Sequence, residues 1–358
     1  MIFVGGEFYY SDKWYSDQSA SFPKTDCTTY FLNGGQACLR VIGDYLVDHG
    51  INRILLPAYL CPTITHSFQQ CGIKCDFYRI TNDFSIDLED LSRQIERSSF
   101  RAVYFINYFG FSQPDEVIKY LNNLRQQEII IVEDNAQAGF SEKTVGDFVF
   151  NSLRKLCPYD GAYLIAPELI DKYIARYHGR VNHRLPLIRK YREGLSCYLH
   201  QEKGDPDELD DLFHRSEFFY QKDQVVEGDL NERDGIEHQD WQGICHIRRS
   251  NYNYLLNQIK DTVGILPLFP ALQEQNMPMG LPVIFSGISR DKVNETLGNS
   301  QIGMTIHWEK MHGHPFTLAQ KQAVEMSRQI LTLTIDQYTT KDQLDYLVRI
   351  LKTAILEI

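Results

Sequence analysis

Apolar and polar positions fall into blocks along the first half of the chain, and the period switches between two and 3.6. Arg53-Ile54-Leu55-Leu56-Pro57 and residues 74–79, 102–107 and 129–132 are short, β-branched and aromatic runs, which predict buried strands. Between them Leu39, Ile42, Tyr45 and Leu46 recur at helical spacing and stop at Gly50. Helical patterns return after Pro62 as far as Gly72, over 88–95 and over 116–125. Strand and helix in alternation at this spacing predict a mostly parallel sheet flanked by helices, an α/β fold.

Past residue 140 the pattern becomes less even. Phe148-Val149-Phe150 and residues 162–165 read as further strands. Residues 167–239 are polar, charged and weakly periodic, with helical stretches near 169–178 and 208–220. A long helix begins near Trp241 and runs to Ile259. Strand-like segments at 279–285 and 302–308 and helical ones at 319–329 and 341–351 follow. The organisation expected is a large α/β domain over 1–239 and a smaller α+β domain over 240–358. The aromatic, irregular first 30 residues have no predicted element; a cover for a site or a partner subunit is one use for them.

Composition narrows the class of molecule. With 358 residues, 43% hydrophobic and 23% charged, the chain reads as an ordinary globular protein. A formal net charge of -11 opposes nucleic-acid backbones and anionic membranes, so neither is an expected partner. The N-terminus lacks the cationic start and apolar core of a secretory signal, and no apolar run reaches the roughly 18–20 residues of a membrane span. The eight cysteines (27, 38, 61, 71, 75, 157, 197 and 245) lie mostly in apolar segments, as expected of reduced thiols in a cytoplasmic protein. His307, His312 and His314 match no strong metal-ligand spacing, so no metal is expected.

Candidate chemistry sits at two strand ends. The run Ile129-Ile130-Ile131-Val132 ends in Glu133-Asp134, and Phe148-Val149-Phe150 leads to Ser152, Arg154 and Lys155. A lysine amine forms Schiff bases with carbonyls, and burial makes it more reactive. Pyridoxal phosphate needs such a lysine, a carboxylate at its pyridinium nitrogen and a phosphate cup. Asp134, Lys155, Ser152 and the turn Asn33-Gly34-Gly35-Gln36 at the start of a helix would supply all three. Spacing alone equally allows an acidic strand end and a basic surface turn.

The segment resembles the fold type I pyridoxal-phosphate aminotransferases, and among them the DegT/DnrJ/StrS sugar aminotransferase family. The family's "EDxAQA" signature corresponds to Glu133-Asp134-Asn135-Ala136-Gln137-Ala138, and its "GD…F…S…K" block to Gly146-Asp147, Phe150, Ser152 and Lys155. Weaker echoes are Asn33 to Ala37 at the glycine turn, Pro57-Ala58-Tyr59, Asn107-Tyr108-Phe109-Gly110, and the ending from Leu331 to Asp342. The resemblance implies that Lys155 carries the cofactor as a Schiff base and shuttles the proton. It implies that Asp134 binds the ring nitrogen, Gln137 the ring oxygen side, and Ser152 with the Gly35-Gln36 backbone the phosphate. Tyr59 is the expected ring-stacking residue, with Cys61 at a position where some members keep an aromatic.

The implied activity is amino transfer from a donor such as glutamate to a keto acceptor, typically a nucleotide-linked keto-sugar. Small-molecule substrates and a homodimer follow by the same resemblance, since relatives complete each site across the subunit interface. The segment Asn182-His183-Arg184 stands where relatives reach a partner's phosphate. This chain departs from the family in having Gly35-Gln36 for Gly-Thr, a shorter approach to the lysine, Arg154 before it, and Asp160-Gly161-Ala162 after it. Arg154 is expected to add phosphate charge in compensation. Other fold type I chemistry, by a lyase or dehydratase, and a non-catalytic cofactor-binding homologue are the alternatives.

Overall fold

A computed structural model describes residues 3–18, 28–141, 143–201, 203–308, 311 and 318–357. The first half alternates as the pattern predicts. Strand β1 (Thr28–Leu32) is followed by helix α1 (Gly35–Asp48), β2 (Arg53–Pro57), α2 (Pro62–Gln70), β3 (Lys74–Tyr78) and α3 (Leu88–Ser98). Then come β4 (Ala102–Ile106), α4 (Asp115–Gln126), β5 (Ile130–Asn135), β6 (Phe148–Asn151) and β7 (Ala162–Ala166). These strands form one seven-stranded sheet in the order β1-β7-β6-β5-β4-β2-β3. Strands β2 to β6 pair in parallel, and β7 runs antiparallel to both β6 and β1. The central strand β4 is buried at every residue, Ala102 to Ile106, which is why it reads as a continuous apolar run.

This strand order positions the site. The chain steps outward from β2 to β3, then returns to the other side of β2 with β4 and continues through β5 and β6. The direction reverses between β2 and β4, and the carboxyl ends of parallel strands beside such a reversal border a crevice that suits a ligand. Residues 58–61 after β2, Asn107 after β4, Asp134 at the end of β5 and Ser152 after β6 all lie there.

Residues 167–239 hold a short helix α5 (Asp171–Ile174), then α6 (Arg184–Gln201), α7 (Pro206–Lys222) and α8 (Leu230–Glu237). The helix α6 was not expected, for a physical reason. Its buried residues are Arg184, Leu185, Ile188 and Arg192, so its inner stripe is as charged as it is apolar. Those arginines meet Asp160, Glu217 and Glu232, with Arg184 Nε 2.5 Å from Asp160 Oδ2 and Arg192 Nη2 2.7 Å from Asp160 Oδ1.

The remainder is α9 (Trp241–Ile259), β8 (Ile265–Pro267), β9 (Leu281–Phe285), α10 (Arg290–Asn299), α11 (Leu318–Gln329), β10 (Ile330–Leu333) and α12 (Lys341–Glu357). Its three strands form a separate antiparallel sheet in the order β10-β9-β8. The strand expected at 302–308 is not formed; Ile302 and Thr305 make single bridges only, to Val4 and Thr332. Residues 3–16, without a strand of their own, run between the parts: Gly303 N donates to Val4 O at 2.8 Å, Ser196 Oγ to Tyr10 O at 3.3 Å, and Asp240 N to Trp14 O at 2.8 Å. Among the described residues no helix is long and apolar enough to cross a membrane, and seven cysteines are free thiols. Cys71 and Cys75 pack against the main core.

Candidate active site

Asp134 lies at the end of β5 and is 4% exposed. Its Oδ1 accepts the Ala136 N–H at 2.7 Å, and its Oδ2 accepts the Tyr104 hydroxyl from the neighbouring strand. Burial pushes the Asp134 carboxyl up, while Lys155, Tyr104 and the Ala136 N–H pull it back toward the ionised form. Glu133 has a different task. Its carboxylate takes the N–H groups of Val145 and Gly146 at 2.8 and 3.0 Å and the side-chain amides of Asn107 and Asn135, so it ties the 145–146 turn to the strand.

Lys155 closes a single 3-10 turn, Leu153–Lys155, directly after Ser152. Burial holds its amine below the ordinary lysine range; Asp134 and Cys61 oppose that shift and Arg154 adds to it. A lysine amine held below its ordinary range by burial gives up its proton more readily and is the better nucleophile toward a carbonyl.

Gln137 is 1% exposed, and its Oε1 accepts the Phe109 N–H at 2.7 Å. Phe109 holds a φ of +56°, a strained value for a bulky residue, and this aims its N–H at Gln137. Gln137 Nε2 is left buried with no hydrogen-bond partner among the described residues. A buried donor without an acceptor costs free energy, and so points to a missing polar group.

The glycine turn also falls in place. Gly34 precedes α1 with a φ of +152°, and no side chain caps the helix. A Cβ on Gly34 would stand 2.5 Å from the Tyr220 hydroxyl, and one on Gly35 would stand 3.5 Å from Ser152 Cβ. The turn and Ser152 therefore share one corner, at the positive end of a helix dipole. Gln36 is half-buried at the second position of the helix.

Tyr59 requires a correction. Its ring is fully buried, edge-on to Phe84 at 4.8 Å and 5.4 Å from Trp308, and its hydroxyl donates to the His307 carbonyl. That packing leaves no face free for a flat ligand. Cys61, two residues on at the same strand end, is half-buried. Arg154, expected to add phosphate charge, bonds Glu217 Oε1 at 2.9 Å, and its guanidinium lies 4.4 Å over the Tyr220 ring. In Asn182-His183-Arg184, Asn182 bonds Asn33 of its own chain at 2.9 Å and Arg184 is spent on Asp160 and Glu217.

Tyr104 and Tyr220 give no local signal in the sequence, because each reaches the site only through tertiary pairing; His307 stands out there only as one of three histidines without metal-ligand spacing. His307 is 5% exposed, with Nδ1 2.9 Å from Thr332 Oγ1. Burial, helped by the charge of Lys155, pushes its imidazole down to about 3 from 6.5. The unfolded chain then binds a proton that the folded one refuses, so stability falls as pH drops from 6.5 toward 3. The expected slope is about 1.4 kcal/mol per pH unit. His307→Gln should flatten the stability profile of the cofactor-free protein across that window in urea titrations; an unchanged slope would assign it elsewhere. His312 and His314 lie outside the described residues. Among the described residues no group of His, Cys, Asp and Glu is arranged to hold a metal ion.

No family model matches the sequence, and no curated protein matches it. Solved structures do. PseC of Helicobacter pylori, an aminotransferase involved in the biosynthesis of pseudoaminic acid, is 12% identical with a TM-score of 0.65, over 92% of this chain and 87% of that one. The PLP-form of a putative sugar aminotransferase, Spr1654 of Streptococcus pneumoniae, is 15% identical with a TM-score of 0.63, over 99% of both chains. The sugar aminotransferase CalS13 of Micromonospora echinospora is 14% identical with a TM-score of 0.60, over 91% and 87%. The sequence resemblance and the likeness of architecture agree, and the chain has the fold of the pyridoxal-phosphate-dependent aminotransferases.

Proposed function

We propose that the protein is a pyridoxal-phosphate-dependent aminotransferase of the DegT/DnrJ/StrS type. The observation that carries this reading is the unpartnered Nε2 of Gln137, three residues after the buried acid Asp134 at the end of the strand beside the Lys155 turn. An acid, an amine and an orphaned donor at a sheet's switch point, with a glycine turn opposite, fit the polar edge of this cofactor. When bound, pyridoxal phosphate supplies an electron sink that stabilises negative charge at the substrate's amino-bearing carbon.

The chain's residues then divide the work. Asp134, which accepts the Tyr104 hydroxyl and the Ala136 N–H, would face the ring nitrogen and favour its protonated form. Gln137 Nε2 would donate to the ring oxygen. Ser152 and the backbone of Gly35 and Gln36 would take the phosphate, and Cys61 in place of Tyr59 would lie against the ring. Lys155 anchors the cofactor, then carries the proton to and from the substrate carbon as a general base and acid. The reading extends to an amino-acid donor such as glutamate, a nucleotide-linked keto-sugar acceptor, and a cytoplasmic homodimer.

Adding glutamate to the cofactor-loaded protein should convert the bound cofactor to its amine form and release 2-oxoglutarate in equal amount. Loss of the cofactor's visible absorbance without 2-oxoglutarate, or no change at all, would remove the transaminase reading and favour a non-catalytic homologue.

A further inference from the structure

Arg40 is a buried cation that makes no ion pair among the described residues, and unlike Arg248, which is bonded to Gln337 and to the Pro278 and Met279 carbonyls, it has an unpartnered nitrogen. Arg40 lies in the second turn of α1 and is 4% exposed. Its Nε has no hydrogen-bond partner, and no carboxylate pairs with it among the described residues. Asp44, one turn further on, is engaged by Arg176 at 3.4 Å and by the Tyr177 hydroxyl at 3.2 Å. Buried charges are normally paired, because desolvating a lone guanidinium is costly.

The side chain leans toward the start of its helix, as helical side chains do, and Nη2 stands 3.5 Å from Gln36 Oε1. Gln36 belongs to the uncapped first turn that meets Ser152. The Tyr220 hydroxyl closes the same corner over Gly34. Gln36 has one acceptor and two donors on its carboxamide; with Oε1 facing Arg40, its Nε2–H groups are free to face the corner.

We propose that Arg40 and Gln36 act as one unit on the phosphate monoester of the cofactor: the phosphate is the counter-ion that Arg40 lacks, and Gln36 is the donor that Arg40 orients. The proposal rests on the cofactor reading above and concerns the phosphate alone. Arg40 is a positioning residue, and Gln36 Nε2 replaces a hydroxyl donor at the turn.

Direct binding tests this. The dissociation constants of pyridoxal phosphate and of phosphate-free pyridoxal are measured on the cofactor-stripped wild type, Arg40→Met, Gln36→Leu and the double variant. Arg40→Met should weaken pyridoxal phosphate tenfold or more and leave pyridoxal unchanged. Its cofactor-free form should melt at or above the wild-type temperature, since a lone buried charge has been removed. Arg40→Lys should recover part of the affinity, and the double variant should lose less than the sum of the single losses. Inorganic phosphate should raise the melting temperature of the stripped wild type more than that of Arg40→Met. The proposal is overturned if Arg40→Met binds pyridoxal phosphate as the wild type does, or weakens both ligands alike. It also falls if the stripped variant melts lower in step with its lost affinity, which marks a structural role. A wild type that binds neither ligand removes the cofactor reading itself, a result distinct from any of these.

Discussion

Lys155→Ala should lower kcat/KM for amino transfer by at least about 10⁴-fold, because one substitution removes both the covalent anchor and the proton carrier. Proton transfer by a positioned side chain is alone worth about 10²–10⁴-fold. The remaining contacts do not depend on the lysine: Asp134 keeps Tyr104 and the Ala136 N–H, Gln137 keeps Phe109, and Gly35 keeps Ser152. Lys155→Ala should therefore still bind pyridoxal phosphate without a covalent bond, and borohydride should fail to fix it to the chain. Lys155→Arg keeps a positive charge beside Asp134 but has no nucleophilic amine, so it should be as inactive as the alanine variant. Turnover surviving in either variant would sink the assignment of Lys155.

Asp160→Ala should be the most damaging single change to stability. Asp160 accepts from Arg184 and Arg192, is 1% exposed, and lies five residues beyond Lys155. Burial raises its carboxyl, but Arg192 and Arg184 outweigh that and hold it far below the usual carboxylate range. Removing the acid leaves two guanidinium groups buried without their shared partner, a class of change that costs about 3–5 kcal/mol. Thermal melting should fall, and proteolysis should open α6 and α7 before the main sheet. The sign with pH is fixed by the same pairing. A depressed native carboxyl contributes stability that is present above its unfolded value of 3.8 and lost as pH falls below it. The difference between wild type and Asp160→Ala should therefore shrink in strong acid. A variant that melts like the wild type would show that the arginines find other partners.

Much of the α/β half was legible because its strands are apolar throughout and its helices have one apolar stripe. The central strand β4 and the helix α9, Trp241–Ile259, follow the sequence pattern closely. The helix α6 did not, since Arg184 and Arg192 on its inner stripe look like solvent-facing charge until Asp160 and Glu232 are brought beside them. Asp134, Gln137, Ser152, Gly35 and Lys155 stand out in the sequence because each falls in a short local motif. Tyr104 does not: it meets Asp134 across the parallel β4–β5 pairing, where Ile106 and Asp134 are in register. The enclosure of Tyr59 was not legible for a local reason: Tyr59 and Cys61 both follow β2, and the packing of Tyr59 against Phe84 and Trp308 is made by distant segments.

The segment 3–16 has a consequence for the order of folding. Its partners are remote: Gln343 Nε2 donates to Phe3 O across 340 positions, Tyr338 to Tyr9 O across 329, and Ser196 to Tyr10 O across 186. Closing loops of that length adds little entropy beyond a medium one, but the contacts form only after both partners are built. The segment must therefore settle last, over two sheets that have already formed. Within the segment the backbone bonds are Trp14 N to Ser11 O and Tyr15 N to Asp12 O, so amide exchange there should be faster than in the two sheets.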